Sequence, residues 1–429
     1  MRLNKVSFFD LENRKELSMN DLEKSIEELR VNNDLISFSY EQIVKTFSQV
    51  YRLMAKPTHP LYSKLRHLGL SFFLSFIHSE NLRHMLCDSL GKEVFSTGRR
   101  EIDSKRLCMV SPRGISLHWL AGNVPILGLI SVTLGLITKN KIIIKLPSSG
   151  EDYVSDFLKT FLSSKIDDEF QCVGQAIVKS CIVTRFNHLN LEASNVVAKY
   201  ASSRVLWGSQ DAIDFSSKLQ SLVPSELISF GPKLSAAVID EALMDDLGYE
   251  RLVTDIVLFQ QMACTSPQFI FVKGGPIPKQ HVIDGVKNAY ERIKKKNAFL
   301  LNQTEDSSHS MKKLEYSISL SIKGYKLHSK PEDGLIVYEG EPDINCFGYG
   351  HHVVGVTSFE NEHEIRSKIP ANIQGVYYVY GDLEELFNQL GDKVDRIAPV
   401  GQAHSFELPW DGLNVLDKLS HKSILWRNN

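Results

Sequence analysis

The chain predicts an α/β protein in which two doubly wound parallel sheets follow a helical lead-in. Three observations carry this. From Lys105 onward, short apolar runs alternate with stretches of helical periodicity, the pattern of parallel strands with helices on both faces of a sheet. The alternation comes in two blocks, the second opening near Ala236. The stretch up to Leu90, by contrast, places apolar residues at helical spacing with no strand pattern. At 429 residues, 43% of them apolar, the chain has room for two or three domains with cores of ordinary size.

Taken in order, Asn20-Asp21 is placed to cap a helix running through Arg30. Ser39 to Gln42 has the spacing of a capping box that opens a helix towards Met54. Leu61–Phe76 and Asn81–Leu90 continue the helical pattern. Arg106–Val110 and Gly114–His118 then read as strands, Val124–Ile137 as a helix, Lys141–Leu146 as a strand and Tyr153–Phe161 as a helix. Ala176–Thr184, Leu191–Tyr200, Ser203–Trp207 and Asp211–Leu219 follow as strand, helix, strand and helix. The second block runs from the strand Ala236–Ile239 through a long helical stretch ending near Met262. The strand Phe269–Val272 and a helix from Gln280 to Lys295 come next. Asn302–Lys330 is polar and charge-rich, a surface excursion or, as the alternative, a mobile lid. Leu335–Tyr338, His352–Val356 and Gly375–Tyr380 complete the second sheet, with a helix at Leu383–Leu390.

Composition narrows the function classes. The 49 basic and 51 acidic residues leave a net charge of −2, which lacks the basic footprint of a nucleic-acid binder. Six scattered cysteines, with no CxxC, read as reduced thiols of a cytoplasmic protein rather than a disulfide framework or a zinc site. His351-His352 stands without a second pair at ligand spacing and reads as a strand surface, not a metal site. Met1-Arg2-Leu3-Asn4-Lys5 leads into a charged stretch and not into the apolar core of a secretory signal. Trp119–Thr138 is charge-free and long enough to span a bilayer. Gly122, Asn123 and Pro125 interrupt it, and Lys139-Asn140-Lys141 leads into another apolar strand, so a buried helix is expected instead.

Neither GxGxxG nor GxxxxGK[ST] is present, which removes the usual dinucleotide fingerprint and the phosphate loop. Chemistry-bearing candidates lie at element boundaries. Asn123 falls between a strand and a helix with Pro125 in its first turn; its amide could donate to an oxyanion or simply cap the helix. Lys145 ends a β-branched strand before the turn Pro147-Ser148-Ser149-Gly150. A cation there suits a ribose or phosphate ligand, and a solvated strand end is the plainer reading. Trp207-Gly208-Ser209-Gln210 and Phe230-Gly231-Pro232-Lys233 are glycine turns that either let backbone approach a cofactor or merely connect elements. Cys264, in Gln261-Met262-Ala263-Cys264-Thr265, precedes a strand and could expose a thiolate, although cysteines are more often filler.

In this order the motifs resemble the aldehyde dehydrogenase superfamily, and most closely its LuxC-type fatty acyl-CoA reductases. Ala121-Gly122-Asn123-Val124-Pro125, Thr138-Lys139-Asn140 with Ile143-Ile144-Lys145, Trp207-Gly208 with Asp211-Ala212-Ile213, Phe230-Gly231-Pro232-Lys233-Leu234-Ser235, and Gln261 with Ala263-Cys264 carry the similarity. It runs from about Gly114 to about Val272, then more faintly to Arg396 and Trp410-Asp411-Gly412. The resemblance implies an aldehyde dehydrogenase-like fold: a helical region at 1–100, a cofactor-binding domain at 101–233, a catalytic domain at 234–395 and a return segment at 396–429. It makes Cys264 the acyl-accepting nucleophile. Asn123, with the backbone N–H of Cys264, becomes the oxyanion hole. Lys145, Gly208, Ser209 and Gly231 become cofactor contacts, with NADPH as the cofactor. Acyl-CoA or an acylated partner enzyme is the implied donor, and a homo-oligomer the implied assembly.

Two departures qualify the match. Hydrolytic aldehyde dehydrogenases place a glutamate base in the turn that reads Ser229-Phe230-Gly231-Pro232-Lys233 here, and this turn has no carboxylate. Hydrolysis of an acyl-enzyme should then be poor, while hydride reduction needs no such base. Asn345-Cys346-Phe347-Gly348 stands where many relatives carry a glutamate near the nicotinamide ribose. The rival readings are an aldehyde-oxidising enzyme with its base elsewhere and a non-catalytic acyl-transfer scaffold.

Overall fold

The computed structural model describes residues 7–9, 19–296, 307–340 and 350–427. Two compact units emerge, one formed by Met1–Gly231 with Phe406–Asn429, the other by Pro232–Ser405.

The first unit carries helices α1 (Met19–Val31), α2 (Tyr40–Met54), α3 (Pro60–Leu65), α4 (Leu70–Ile77), α5 (Ser79–Leu90) and α6 (Lys92–Thr97). α2 begins with the expected capping box: Ser39 Oγ accepts from Gln42 N, and the Gln42 side chain accepts from Ser39 N. Ile43, Phe47, Val50 and Met54 recur at three- and four-residue spacing and are buried, which turns one stripe of the helix inward. α1 buries Leu22, Ile26 and Leu29 in the core shared with Leu117, Ile143 and Ile182 of the sheet.

That sheet consists of β1 (Ser7–Phe9), β4 (Ile115–Trp119), β5 (Lys141–Leu146), β6 (Cys181–Arg185), β7 (Ala201–Trp207) and β8 (Glu226–Phe230), in the order β1-β6-β5-β4-β7-β8. All neighbours are parallel except β1 on β6. The chain winds outward from β4 through β5 to β6, then returns to the other side of β4 for β7 and β8. The switch of direction lies between β4 and β7, where doubly wound sheets open a ligand crevice at the strands' carboxyl ends. α7 (Pro125–Ile137), α8 (Tyr153–Thr160), α9 (Asp168–Lys179), α10 (Leu191–Ala198) and α11 (Gln210–Ser217) form the connections. Separately, β2 (Arg99–Asp103) and β3 (Arg106–Pro112) join the final strand Ser420–Trp426 in an antiparallel sheet.

α7 is the charge-free segment of the sequence. It begins only at Pro125, spans 13 residues and is buried almost throughout. Among the described residues no helix is long and apolar enough to cross a membrane. Gly135 within it is there for closeness: a Cβ would lie 2.7 Å from Ile142 Cδ1 and 2.8 Å from His118 Nε2.

The second unit is a sheet of β9 (Leu234–Ile239), β10 (Pro267–Lys273), β11 (Lys326–Leu327), β12 (Ile336–Glu339), β13 (Val353–Phe359), β14 (Ile373–Val379) and β15 (Arg396–Pro399). Its order is β11-β12-β13-β10-β9-β14-β15, parallel apart from β11. Both faces are covered. Ala237, Ile239, Ile270 and Val272 face the core formed with α12 (Asp246–Val257) and α13 (Pro276–Lys296), while Ala236, Val238, Phe269 and Phe271 face the opposite core. This two-residue alternation within continuous apolar runs is what a buried parallel strand requires.

Four elements differ from the sequence expectation. Ala176–Thr184 is not one strand: α9 continues to Lys179 and β6 starts at Cys181. Phe170, Val173 and Ile177 form the buried stripe of that helix, so the apolar run belonged to a helical period. The helix expected to end near Met262 stops at Val257, because Phe259, Gln260 and Gln261 have left-handed backbone. His351 and His352 lie in a turn at φ 54° and 62°, both buried, rather than on a strand surface. Asn302–Lys330 contains, in its described part, the helix Ser307–Ile322 and β11.

Candidate active site

In the first unit, the predicted residues gather at the carboxyl ends of adjacent strands. Lys145 lies near the end of β5, Asn123 in the loop after β4, Gly208 and Ser209 after β7, and Gly231 after β8. These strands stand side by side as β5-β4-β7-β8, so the order along the chain becomes a row along one edge of the sheet.

Lys145 is not a solvated strand end. It is 3% exposed, and its Nζ lies 4.8 Å from the Trp119 ring centroid and 5.7 Å from that of Phe186. Burial, with a smaller contribution from Arg185, pushes its pKa down to about 8. A half-desolvated cation held against aromatic faces is prepared for an anionic partner. Arg185, at the end of β6, donates to Gly150 O at 2.7 Å and so pins the turn after Lys145. The sequence reading missed it, although a cation at a strand's carboxyl end is the same signal that singled out Lys145.

Asn123 is not the cap of α7. Val124 holds that position and makes no side-chain cap bond, and Asn123 is exposed on the loop. Gly122 beside it approaches Pro147, whose Cβ would lie 3.3 Å from an added Cβ. Ser209 does act as a cap: its Oγ accepts from Ala212 N at 3.4 Å. Gly208 donates its N–H to Phe230 O at 3.3 Å, and Trp207 stacks on Phe230 at 4.0 Å. Gly231 is small because α11 is close; a Cβ there would meet Ile213 Cδ1 at 3.3 Å. Below this row, Ser131 Oγ accepts from Trp207 Nε1 at 2.9 Å and is hydrogen-bonded to His118 Nδ1 at 2.7 Å. A buried cation, an exposed amide and backbone turns without bulky side chains fit the phosphate and ribose of a nicotinamide dinucleotide.

In the second unit, Cys264 is half-buried in a turn between the short helix Leu258–Gln261 and β10, at the amino end of that strand. The other described cysteines are placed differently. Cys108 and Cys181 are buried, and burial raises the Cys181 thiol far above its ordinary range; Cys87 and Cys172 lie on helices α5 and α9.

The turn leading to Cys264 is strained. Phe259, Gln260 and Gln261 have φ of 55°, 55° and 60°, and each left-handed non-glycine residue costs roughly 1–2 kcal/mol. Side-chain amides hold it. Gln261 Nε2 donates to Pro267 O and Val353 O, both at 2.8 Å, while its Oε1 accepts from Val353 N at 2.7 Å. Gln268 Nε2 donates to Gln261 O at 3.1 Å and Ser266 O at 3.3 Å, and its Oε1 accepts from Gly350 N at 3.1 Å. Gly350 eases this turn: φ is 61° and a Cβ would come 2.8 Å from Met262 Sδ.

Cys264 is fixed from both sides of its peptide. Ser235 Oγ donates to Cys264 O at 2.8 Å. Thr265 Oγ1 lies 2.8 Å from His404 Nδ1, and His404 Nε2 lies 3.0 Å from Asp255 O. A carbonyl only accepts, so Nε2 carries the proton and Nδ1 accepts from Thr265. Burial pushes the His404 pKa down to about 4 and keeps the ring neutral, while the buried Asp255 carboxyl rises to about 7. Sequence reasoning quoted Ser235 within a motif without giving it a role, and missed Asp255, Gln268 and His404. Gln268 alone carries a local signal, as a polar residue inside an apolar strand run. The departure expected at Asn345–Gly348 lies outside the described residues.

With this geometry in hand, the chain can be set beside known proteins. The Long-chain acyl-protein thioester reductase of Vibrio harveyi is 26% identical over 340 residues, 76% of this chain and 66% of the relative. A protein of the same name from Photobacterium phosphoreum is 32% identical over 167 residues, 39% of this chain and 33% of that one. The matched stretch thus spans less than two thirds of these relatives' lengths. Among solved structures, aldehyde dehydrogenase 21 from Physcomitrella patens superposes with a TM-score of 0.67 at 10% identity, covering 99% of this chain and 94% of that one. A lactaldehyde dehydrogenase gives 0.66 at 12%, covering 100% and 95%. The fold is that of the aldehyde dehydrogenases. The profile of the acyl-CoA reductase (LuxC) family matches residues 28–422, and the chain belongs to that family.

Proposed function

We propose that the protein reduces an acyl thioester to an aldehyde through an acyl group carried on Cys264. The observation that carries this is the half-buried cysteine on a turn stapled by Gln261 and Gln268, in a family whose relatives are named for thioester reduction. The Cys264 thiolate attacks the donor's carbonyl carbon, the donor's C–S bond breaks, and the departing thiolate takes up a proton. NADPH, when bound, supplies a hydride to the carbonyl of the Cys264 thioester. By the family resemblance, Asn123 would hold the oxyanion that develops. Collapse of the resulting thiohemiacetal breaks the bond to Cys264 Sγ, restores the thiolate and releases the aldehyde. Lys145 would hold the adenosine ribose or its 2′-phosphate, with Gly208, Ser209 and Gly231 beside it.

The missing carboxylate in Ser229–Lys233 favours reduction over hydrolysis. The names of the relatives favour an acylated partner protein as donor, with acyl-CoA as the simpler one. The resemblance carries a homo-oligomer, and the scattered cysteines carry a cytoplasmic setting.

NADPH consumption with trapping of the aldehyde tests this, using acyl-CoAs of graded length and an acylated carrier protein as donors. Aldehyde in step with NADPH, and a fall of about a thousandfold or more in Cys264→Ala, is the expected result. Aldehyde oxidation to acid with no reduction of any donor would overturn it.

A further inference from the structure

A cavity of about 420 Å³ opens between the end of α2, the start of α3, α8 and the turn after α8. None of Asn123, Lys145, Gly208, Ser209 or Gly231 lines it. Its size falls within the range of pockets that take small organic ligands, roughly 300–1,000 Å³.

Its charge is one-sided. Lys56, Lys159 and Lys165 line it, and none of these ammonium groups has a carboxylate partner among the described residues. The lining carboxylate, Asp156, is already held by Lys64 at 2.7 Å. Elsewhere on the surface lysines commonly find acids, as Lys279 does with Glu339 and Lys418 with Glu226. Three unpaired cations around one cavity repel each other, and an anion bound among them removes that cost.

The polar lining is prepared as well. Thr160 Oγ1 donates to Asp156 O at 3.1 Å and lies 3.3 Å from His59 Nε2. His59 Nδ1 accepts from Leu61 N at 3.2 Å, so Nε2 carries the ring's proton and points it at Thr160. Burial holds the His59 pKa below its ordinary value and keeps that arrangement neutral. Thr58 and Ser163 add hydroxyls, and Leu53, Pro60 and Leu61 give an apolar wall.

We infer that this cavity binds an organic phosphate bearing at least two negative charges. A carboxylate would leave most of the positive charge unmatched, and free phosphate would leave the apolar wall uncovered. Two sources share the chemistry: the adenosine 3′,5′-bisphosphate head of coenzyme A and a free nucleoside diphosphate. The inference is independent of the reductase reading, since neither Cys264 nor the cofactor row takes part.

Calorimetric titration of the full chain at fixed ionic strength tests it with pyrophosphate, adenosine 3′,5′-bisphosphate and ADP. With the cofactor row filled by saturating NADPH, binding of at least one probe is expected, weakened roughly tenfold or more by the double change Lys159→Ala and Lys165→Ala. Tighter binding of the bisphosphate than of ADP identifies the coenzyme head; the reverse identifies a free nucleotide. Should the double variant melt early, Lys165→Gln at that exposed residue carries the test with a smaller loss of the same sign. No binding of any probe, or equal affinity in the Lys159 and Lys165 variants, would overturn the inference.

Discussion

The first unit presents its candidate residues at the carboxyl ends of parallel strands, whereas the second presents Cys264 at the amino end of one. The first follows the general rule for doubly wound sheets, and ordinary strand-to-helix turns suffice there. Ser209 caps α11, Gly231 packs on α11, and Lys145 rests on two aromatic rings. The second unit breaks the rule and needs a special device. Three left-handed residues aim the turn, and amides from Gln261 and Gln268 hold it against β10 and β13. A cofactor edge tolerates a loosely specified loop. A thiol proposed to attack a carbonyl has to be aimed, and the strain of this turn is offset by buried hydrogen bonds.

The comparison can be broken at either end. In the first unit, Asn123→Ala removes an exposed loop amide outside the cap position of α7, so kcat should fall roughly 10²–10³-fold, well beyond any change in melting temperature. Steady-state kinetics beside a thermal melt check this; a variant that melts early with unchanged kcat would make Asn123 a structural residue. In the second unit, Gln261→Ala strips three buried hydrogen bonds from the strained turn. It should cost about 2–4 kcal/mol, read by urea unfolding. A cost under about 1 kcal/mol would mean the turn is held by something else.

The smallest effect sharpens the contrast through pH. Lys145, with its pKa lowered to about 8, is charged below that value and loses its charge as pH rises through it. NADPH affinity should therefore weaken between about pH 7 and 9.5 in the wild type and stay level in Lys145→Arg, whose guanidinium keeps its charge. Fluorescence titration measures both. Equal pH dependence in the two proteins would remove Lys145 from the cofactor contact.

The same contrast explains what could be read from the sequence. Alternating patterns and capping signals, such as Ser39–Gln42, are local, and they located β4, β5 and β7 of the first sheet and the end of β6, while β1 and β8 went unread. The candidate row was legible because each member lies at or just past the end of a strand. Trp119 and Phe186, which bury Lys145, were not, since they come from neighbouring strands. Around Cys264 the supports come from far along the chain: His404 lies 139 residues beyond Thr265, and Val353 lies 92 beyond Gln261. Left-handed backbone at Phe259 and Gln260 has no compositional signature, because glycine, the usual mark of it, is absent there.

The central claim is that Cys264 carries the acyl group. Intact mass after mixing the full chain with acyl-CoAs, without NADPH, followed by peptide mapping, tests it most directly. The account predicts one acyl adduct, mapped to Cys264, absent in Cys264→Ala and discharged as aldehyde when NADPH is added. An adduct on another residue, or one that NADPH leaves in place, would contradict it.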